Sequence, residues 1–278
     1  MAEVTVADVK ALREKTGLPM IACKKAITEA EGDQEKAIEL LRKAGEKTAA
    51  KQAGRATKAG RIAVFADTDA GAGAIVELRC ETAPVANNEE FVQLADDIAR
   101  QLAAGPGAAT PDELLAQPSP GKEGTTLKEQ WDELYNRIRE NFKFERLRRI
   151  DGVCGGYVHH DGAKGVLLHF EGGVPELAKD ICMHIVAMRP QSLSKEDLDP
   201  EAVAKEREIL TEQARREGKP EKIIEKMVEG RLRGFYAERC LVEQVFVKGE
   251  DKKQTVGKVA DKAGMKLIEF VRWELEKE

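Results

Sequence analysis

Apolar residues recur every three or four positions through the first 45 residues, and the pattern breaks twice. Val6, Val9 and Leu12 form the first stripe, with Thr5 before it as a cap and Gly17 after it as a stop. Pro19 opens a second run, MIACKKAITEAE, which halts at Gly32; a missing N–H costs nothing in a first turn. Asp33 then caps QEKAIELLRKA, with Ile38, Leu40 and Leu41 as inward candidates and Gly45 as its end. Helices this short, joined by so few residues, must bury their stripes on one another, so the pattern predicts a three-helix module. Beyond it Lys47, Lys51, Arg55, Lys58 and Arg61 fall three or four apart among Ala and Gly, a spacing that lines one helical face. Two readings stand for that strip: a solvated linker helix, or a basic surface that meets an acidic partner or phosphates.

From Gly60 the period changes. Residues 62–66 and 74–80 flank the Gly/Asp-rich turn 67–73 and read as a hairpin. A helix is predicted over 91–104, then a proline-rich linker, 105–121, with a short helical piece in it. Another helix, 126 to about 141, carries Trp131, Leu134 and Ile138. The plan then recurs: a hairpin at 156–160 and 165–170 about Asp161-Gly-Ala-Lys164, and a helix over 176–188. LADDIARQLAA from Leu94 aligns with LAKDICMHIVA from Leu177, which marks an internal repeat of one hairpin-plus-helix unit. After Pro190, EAVAKEREILTEQARRE and EKIIEKMVEGRLRGFYAE are separated by Gly218-Lys-Pro220, so an antiparallel helical hairpin is inserted at about 200–236. It serves either as support for the core or as an arm for self-association or partner contact. A helix over 256–263 and the β-rich run MKLIEFVRWEL, a candidate extra strand for the second sheet, close the chain. The class is therefore α+β: a helical module and basic linker (1–56), one sheet-plus-helix subdomain (57–140), and a second (141–278) that holds the insertion.

The two copies are not equal. The interval from Val76 to Leu94 is about eight residues longer than its counterpart from Leu167 to Leu177, and the excess lies in ETAPVANNEEF. The second copy does without it. A longer loop on a rigid frame is a common seat of function; a tolerated surface insertion is the alternative.

Composition narrows the chemistry. Lys and Arg total 45 against 50 Asp and Glu, so the basic surplus of a general nucleic-acid binder is missing. No stretch approaches the length of a membrane span, and MAEVTVADVK lacks the apolar core of a signal peptide, so the expected compartment is the cytosol. Cys23, Cys80, Cys154, Cys182 and Cys240 are scattered and odd in number, which argues for reduced apolar fillers over a metal site or disulfide framework. His159, His160, His169 and His184 show no ligand spacing, and no nucleophile–base motif or carboxylate pair stands out. No metal, cofactor or covalent catalysis is expected.

The motifs taken in order resemble the bacterial translation elongation factor Ts family, the nucleotide-exchange factors of elongation factor Tu. LREKTGLPMIACKKAITEAEGDQEKAIELLRKAG is similar to that family's N-terminal signature, and LRCETAPVANNEEF stands where the family has its Cys-(Glu/Gln)-Thr-Asp-Phe-Val loop. ICMHIVAMRP, EGKPEKIIEKMVEGRLRGFYAE, CLVEQVFVK and TVGKVADKAG follow in family order. The resemblance implies a ubiquitin-associated-like (UBA-like) N-terminal domain and a pseudo-symmetric pair of sheet subdomains. It also implies binding to GDP-loaded elongation factor Tu, whose magnesium and GDP are then lost so that GTP can bind. GDP and Mg²⁺ belong to the partner, and this chain would hold no cofactor.

One departure stands out. In the family an Asp-Phe pair at the tip of the loop is associated with displacing the partner's magnesium; Ala83 and Pro84 stand there, between Thr82 and Val85. Three readings are open: Pro84 as a smaller, stiff wedge; exchange through other contacts with the loop as a spacer; or binding without exchange. The resemblance also implies partner contacts at Met20, Lys24 and Lys25, and at His184 in the ICMHIVA helix. The residues themselves leave other roles open: Ile21 reads as core, the lysines as solvated or partner-facing, and His184 as either satisfied in the fold or partner-facing. A non-catalytic adaptor that uses the three-helix module is the alternative function.

Overall fold

The computed structural model describes residues 4–52, 54–67, 71–249 and 253–276, and for 46, 47 and 49–52 the backbone alone. The chain opens with α1 (Val6–Thr16), α2 (Met20–Glu29) and α3 (Gln34–Gln52). Thr5 and Asp8 form a reciprocal capping box on α1, and Gly17 ends it at φ 67°, a left-handed geometry that costs glycine nothing. Asp33 Oδ1 accepts the N–H groups of Glu35 and Lys36 at 2.9 and 3.0 Å, which caps α3. Val9, Leu12, Leu18, Cys23, Ala26, Ile27, Ala37 and Leu41 pack together as the core of these helices.

Four expectations change here. Val6, at the first helical position, is 71% exposed, so the buried stripe of α1 is Val9 and Leu12. Ile21 is 85% exposed, because α2 turns Cys23, Ala26 and Ile27 inward and leaves its neighbouring face outside. Gly45 does not end α3, which runs on to Gln52. Glycine inside a helix costs about 1 kcal/mol relative to alanine. Here it clears space, since a Cβ at Gly45 would overlap the Asn136 side chain. The basic strip does not share one helical face: α3 stops at Gln52, Arg55 and Lys58 follow it, and Arg61 lies in the first strand. The Lys47 and Lys51 side chains lie outside the described residues.

The chain divides into two compact units, one mainly of residues up to 65 with 74–149, the other mainly of 150–273. The first unit holds most of β1 (Ala59–Asp67), β2 (Ala72–Cys80) and β3 (Lys143–Asp151), which form a sheet in the order β1-β2-β3. The link between β1 and β2 is too short for a parallel crossover, so they form the expected hairpin; residues 68–70 of its turn lie outside the described residues. Around the sheet run α4 (Ala83–Ala86), α5 (Glu89–Ala104), α6 (Pro111–Leu115) and α7 (Leu127–Ile138). Val76, Leu78 and Cys80 of β2 meet Phe91, Leu94, Ile98 and Leu102 of α5, spaced by three and four as a helix face requires. Phe142 takes the edges of Phe91, Trp131 and Tyr135 at centroid distances of 5.1, 5.6 and 5.9 Å. All nine residues of β2 are buried, so both faces of this central strand are covered. Two of these buried positions are charged, Glu77 and Arg79: Glu77 Oε1 accepts from Arg79 Nε at 2.5 Å, and Oε2 from Arg146 Nε on β3 at 2.8 Å.

The second unit repeats the plan. β4 (Cys154–Val158), β5 (Lys164–Glu171) and β6 (Lys266–Glu274) form a sheet in that order, with β4 and β5 antiparallel and Cys154 opposite His169. β6 is the extra strand foreseen in MKLIEFVRWEL. α8 (Pro175–Met188) packs Ala178, Ile181, Cys182 and Ile185 against Val166 and Leu168 of β5. The insertion is a helical hairpin, α9 (Pro200–Arg216) and α10 (Glu221–Arg239), with its own apolar seam of Leu210, Ala214, Ile224, Val228, Leu232 and Phe235. α11 (Val256–Lys262) precedes β6.

Candidate functional site

The long loop leaves β2 at Cys80, the last buried residue of the strand. Thr82 is extended (φ −128°, ψ 151°), and α4 is a single turn that starts at Ala83 with Pro84 second. Proline fits there because its absent N–H would have no partner within the turn. The turn closes through Ala86 N–H to Thr82 O at 3.1 Å and Asn87 N–H to Ala83 O at 3.1 Å. Asn88 then caps α5, its Oδ1 accepting from Glu90 and Phe91. Thr82, Ala83 and Pro84 are exposed, Val85 is half-buried against the core, and Ala86 is buried. The turn thus presents a small apolar tip and plants its far end.

The base of the turn is held from both sides. Glu140 takes the Thr82 N–H with Oε2 at 3.0 Å and the Thr82 hydroxyl with Oε1 at 2.7 Å. The Cys80 thiol donates to Thr82 O at 3.3 Å. Burial first, and the carboxylates Glu140 and Glu81 after it, push that thiol up to about 12, so it stays protonated and able to donate. Next door, Glu81 Oε1 accepts the Asn141 N–H at 2.7 Å, and Asn141 Nδ2 donates to Arg55 O at 2.9 Å. Glu140 and Asn141 follow directly on the left-handed C-cap of α7 at Arg139 (φ 60°). None of these anchors was foreseen; Glu140 lies 58 residues from Thr82 in sequence, and no local pattern joins them.

The remaining sequence candidates separate. Met20, Lys24 and Lys25 are exposed on α2, with Ile21 beside them, so an apolar and basic surface sits at the start of this helix. His184 is not on a surface. It is 0% exposed, donates from Nε2 to Gln244 Oε1 at 3.0 Å, and accepts the Val247 N–H at Nδ1. The partner-facing expectation for His184 is therefore corrected: its ring is satisfied within the fold. The helical period alone could not separate the two, because Gln244 and Val247 come from a distant segment.

Burial holds the His184 pKa below the ordinary imidazole value, outweighing the Gln244 bond that raises it. On acidification the unfolded chain then takes up this proton first. Its contribution to stability is complete above about pH 6.5 and declines as pH falls below that value. Urea midpoints measured from pH 7.5 to 5.5 should drop, and the drop should be shallower in His184→Gln. An identical slope in the variant would show that His184 does not carry the effect.

The five cysteines are free and buried. Among the described residues no cluster of three or more His, Cys, Asp or Glu side chains could hold a metal ion, and no helix is long and apolar enough to cross a membrane.

Residues 81–277 match the family model described as Elongation factor TS. Proteins named Elongation factor Ts are similar along nearly the whole chain. The one from Methylococcus capsulatus is 45% identical over 276 residues, covering 98% of this chain and 92% of its own length. That from Hahella chejuensis is 44% identical over 276 residues, with 99% and 93% covered. That from Thioalkalivibrio sulfidiphilus is 42% identical over 275 residues, with 98% and 92% covered.

Proposed function

The chain belongs to the elongation factor Ts family, and from that membership we propose that it speeds GDP release from elongation factor Tu by binding the emptied partner best. It breaks and makes no covalent bond, and needs no cofactor; the Mg²⁺ and GDP it acts on are the partner's. The observation that carries this reading is the exposed turn at Thr82, Ala83, Pro84 and Val85, pinned at its base and tipped with small apolar groups. A fixed projection of this kind suits entry into the surroundings of a bound ion. Met20, Lys24 and Lys25 of the UBA-like helical module offer a second contact, where lysines meet an acidic surface and Met20 with Ile21 meets an apolar one.

The energetics follow from linkage. A factor that prefers the nucleotide-free partner must weaken GDP binding by the same ratio. A ratio of about 10⁴ needs roughly 5.5 kcal/mol of differential binding. An interface of ordinary size supplies that when part of it forms only after the nucleotide site opens. Pro84 lacks the ring and Ala83 the carboxylate of the family loop, so the turn works through backbone placement and a stiff φ.

The test is release of labelled GDP from loaded elongation factor Tu as this chain is titrated in. At least a tenfold acceleration is expected. Binding without any change in the release rate would instead establish a non-catalytic adaptor. Ala83→Asp/Pro84→Phe, measured beside the native chain, should change the maximal rate by less than threefold if Pro84 already serves as the wedge.

A further inference from the structure

The turn at residues 83–86 is too short to be stable alone. A nucleus of one helical turn is unfavourable, and isolated helices need about 12–15 residues before they persist. Its N-cap is a threonine, which ordinarily stabilises a helix start by accepting an N–H of the second or third residue. Thr82 makes no such bond. The second residue is Pro84, which has no N–H to give, and the hydroxyl is committed to Glu140. The turn's shape is therefore imposed from outside, by a carboxylate just past the end of α7.

We propose that Glu140 is a positioning residue for nucleotide release: by taking both the N–H and the hydroxyl of Thr82, it presets the direction in which Ala83 and Pro84 project. This rests on the reading of function above. A phenylalanine tip can swing its ring into place by side-chain rotation, whereas an Ala-Pro tip has no such freedom and its reach is the position of the backbone. A displacement of about 1 Å in a positioning element can cost on the order of 100-fold in rate. Two charge-assisted bonds from one carboxylate to one residue fix both the translation and the rotation of the strand exit. Cys80, which grips the carbonyl of the same residue, holds the opposite side. Without Glu140 the turn keeps its covalent link to the strand and the buried Ala86, but loses its aim.

The expected signature separates aim from affinity. With full-length chain and loaded elongation factor Tu, Glu140→Ala should lower the maximal rate of labelled GDP release about tenfold. The half-saturating concentration should stay within about twofold, because most of the partner-binding surface is untouched. Glu140→Gln keeps one acceptor oxygen and should recover part of the loss. Thr82→Val removes the hydroxyl bond alone and should fall between; combined with Glu140→Ala it should add nothing, since both act on one contact. Hydrogen exchange at the Thr82 amide should quicken in Glu140→Ala.

An unchanged maximal rate in Glu140→Ala would overturn the proposal. So would a loss that appears only in the half-saturating concentration and follows a fall in Tm, which is what a merely structural role predicts. If Glu140→Ala does not fold, Glu140→Gln decides: a native maximal rate together with faster Thr82 exchange counts against positioning. A native chain that fails to accelerate release would overturn the functional reading, and this inference with it. A native chain that accelerates, beside a Glu140→Ala chain that matches it, overturns this inference alone.

Discussion

Phe91→Ala should lower the stability of the first unit by about 3–5 kcal/mol, the usual toll of removing a buried aromatic ring. Phe91 is 0% exposed, in the first turn of α5, with its ring edge-on to Phe142 at 5.1 Å. Phe142 is also the meeting point of Trp131 and Tyr135, so the ring that borders the vacated space is itself held by two further aromatic contacts. Such rings cannot collapse inward without giving up their edge-to-face contacts, each worth about 0.5–1.5 kcal/mol beyond area. Ala86, the buried foot of the exposed turn, belongs to the same cluster. Phe91→Leu, which keeps most of the volume, should cost less than half as much. Urea unfolding followed by near-ultraviolet circular dichroism gives both values. A loss below about 1 kcal/mol in Phe91→Ala would mean that this cluster does not support the unit.

Glu77→Ala is expected to cost about 3 kcal/mol, toward the lower end for breaking a buried ion pair by removing one partner. Glu77 is fully buried on the central strand. The Arg79 side chain beside it is only 11% exposed, and that of Arg146 on β3 is 42% exposed. Without the carboxylate Arg146 can rehydrate, but Arg79 is left as a charge with little water and no counterion at Glu77. The penalty is therefore dominated by one stranded guanidinium. Adding Arg79→Met to Glu77→Leu removes both buried charges and should return most of the lost stability, since apolar replacement of a whole buried pair is often neutral. A denaturation series on the two variants checks the sign. A double variant weaker than Glu77→Ala would show that the charges themselves, not their imbalance, hold the strand.

Local signals explain what could be read in advance. Thr5, Gly17 and Asp33 act within a few residues of themselves, and each caps or stops the helix expected of it. The two hairpins, the helices laid on them and the closing strand β6 follow from periods of two and 3.6. β3 escaped, because KFERLRRID carries five charges in its first seven residues and does not alternate cleanly. Its pairing with the buried β2 settles its conformation, and the charge is absorbed partly by Arg146 on Glu77. Gly45 misled for the opposite reason: its local meaning is a stop, but packing against Asn136 overrides it. Of the site, the extra length of the loop was legible from the repeat. The anchors were not, for Glu140 and Asn141 reach Thr82 and Glu81 across about sixty residues. His184 shows the same limit from the other side, its partners Gln244 and Val247 lying 60 and 63 positions away.

The aromatic knot around Phe142 has an optical consequence. The chain has two tryptophans, Trp131 and Trp273, and the division of the molecule puts one in each unit. Trp131 stands edge-on to Phe142, in the cluster that also holds the foot of the exposed turn. Its indole emission is a resident reporter of that neighbourhood. Replacing Trp273 with phenylalanine would leave a chain whose tryptophan emission, excited at wavelengths where tyrosine does not absorb, comes from that cluster alone, with no dye attached.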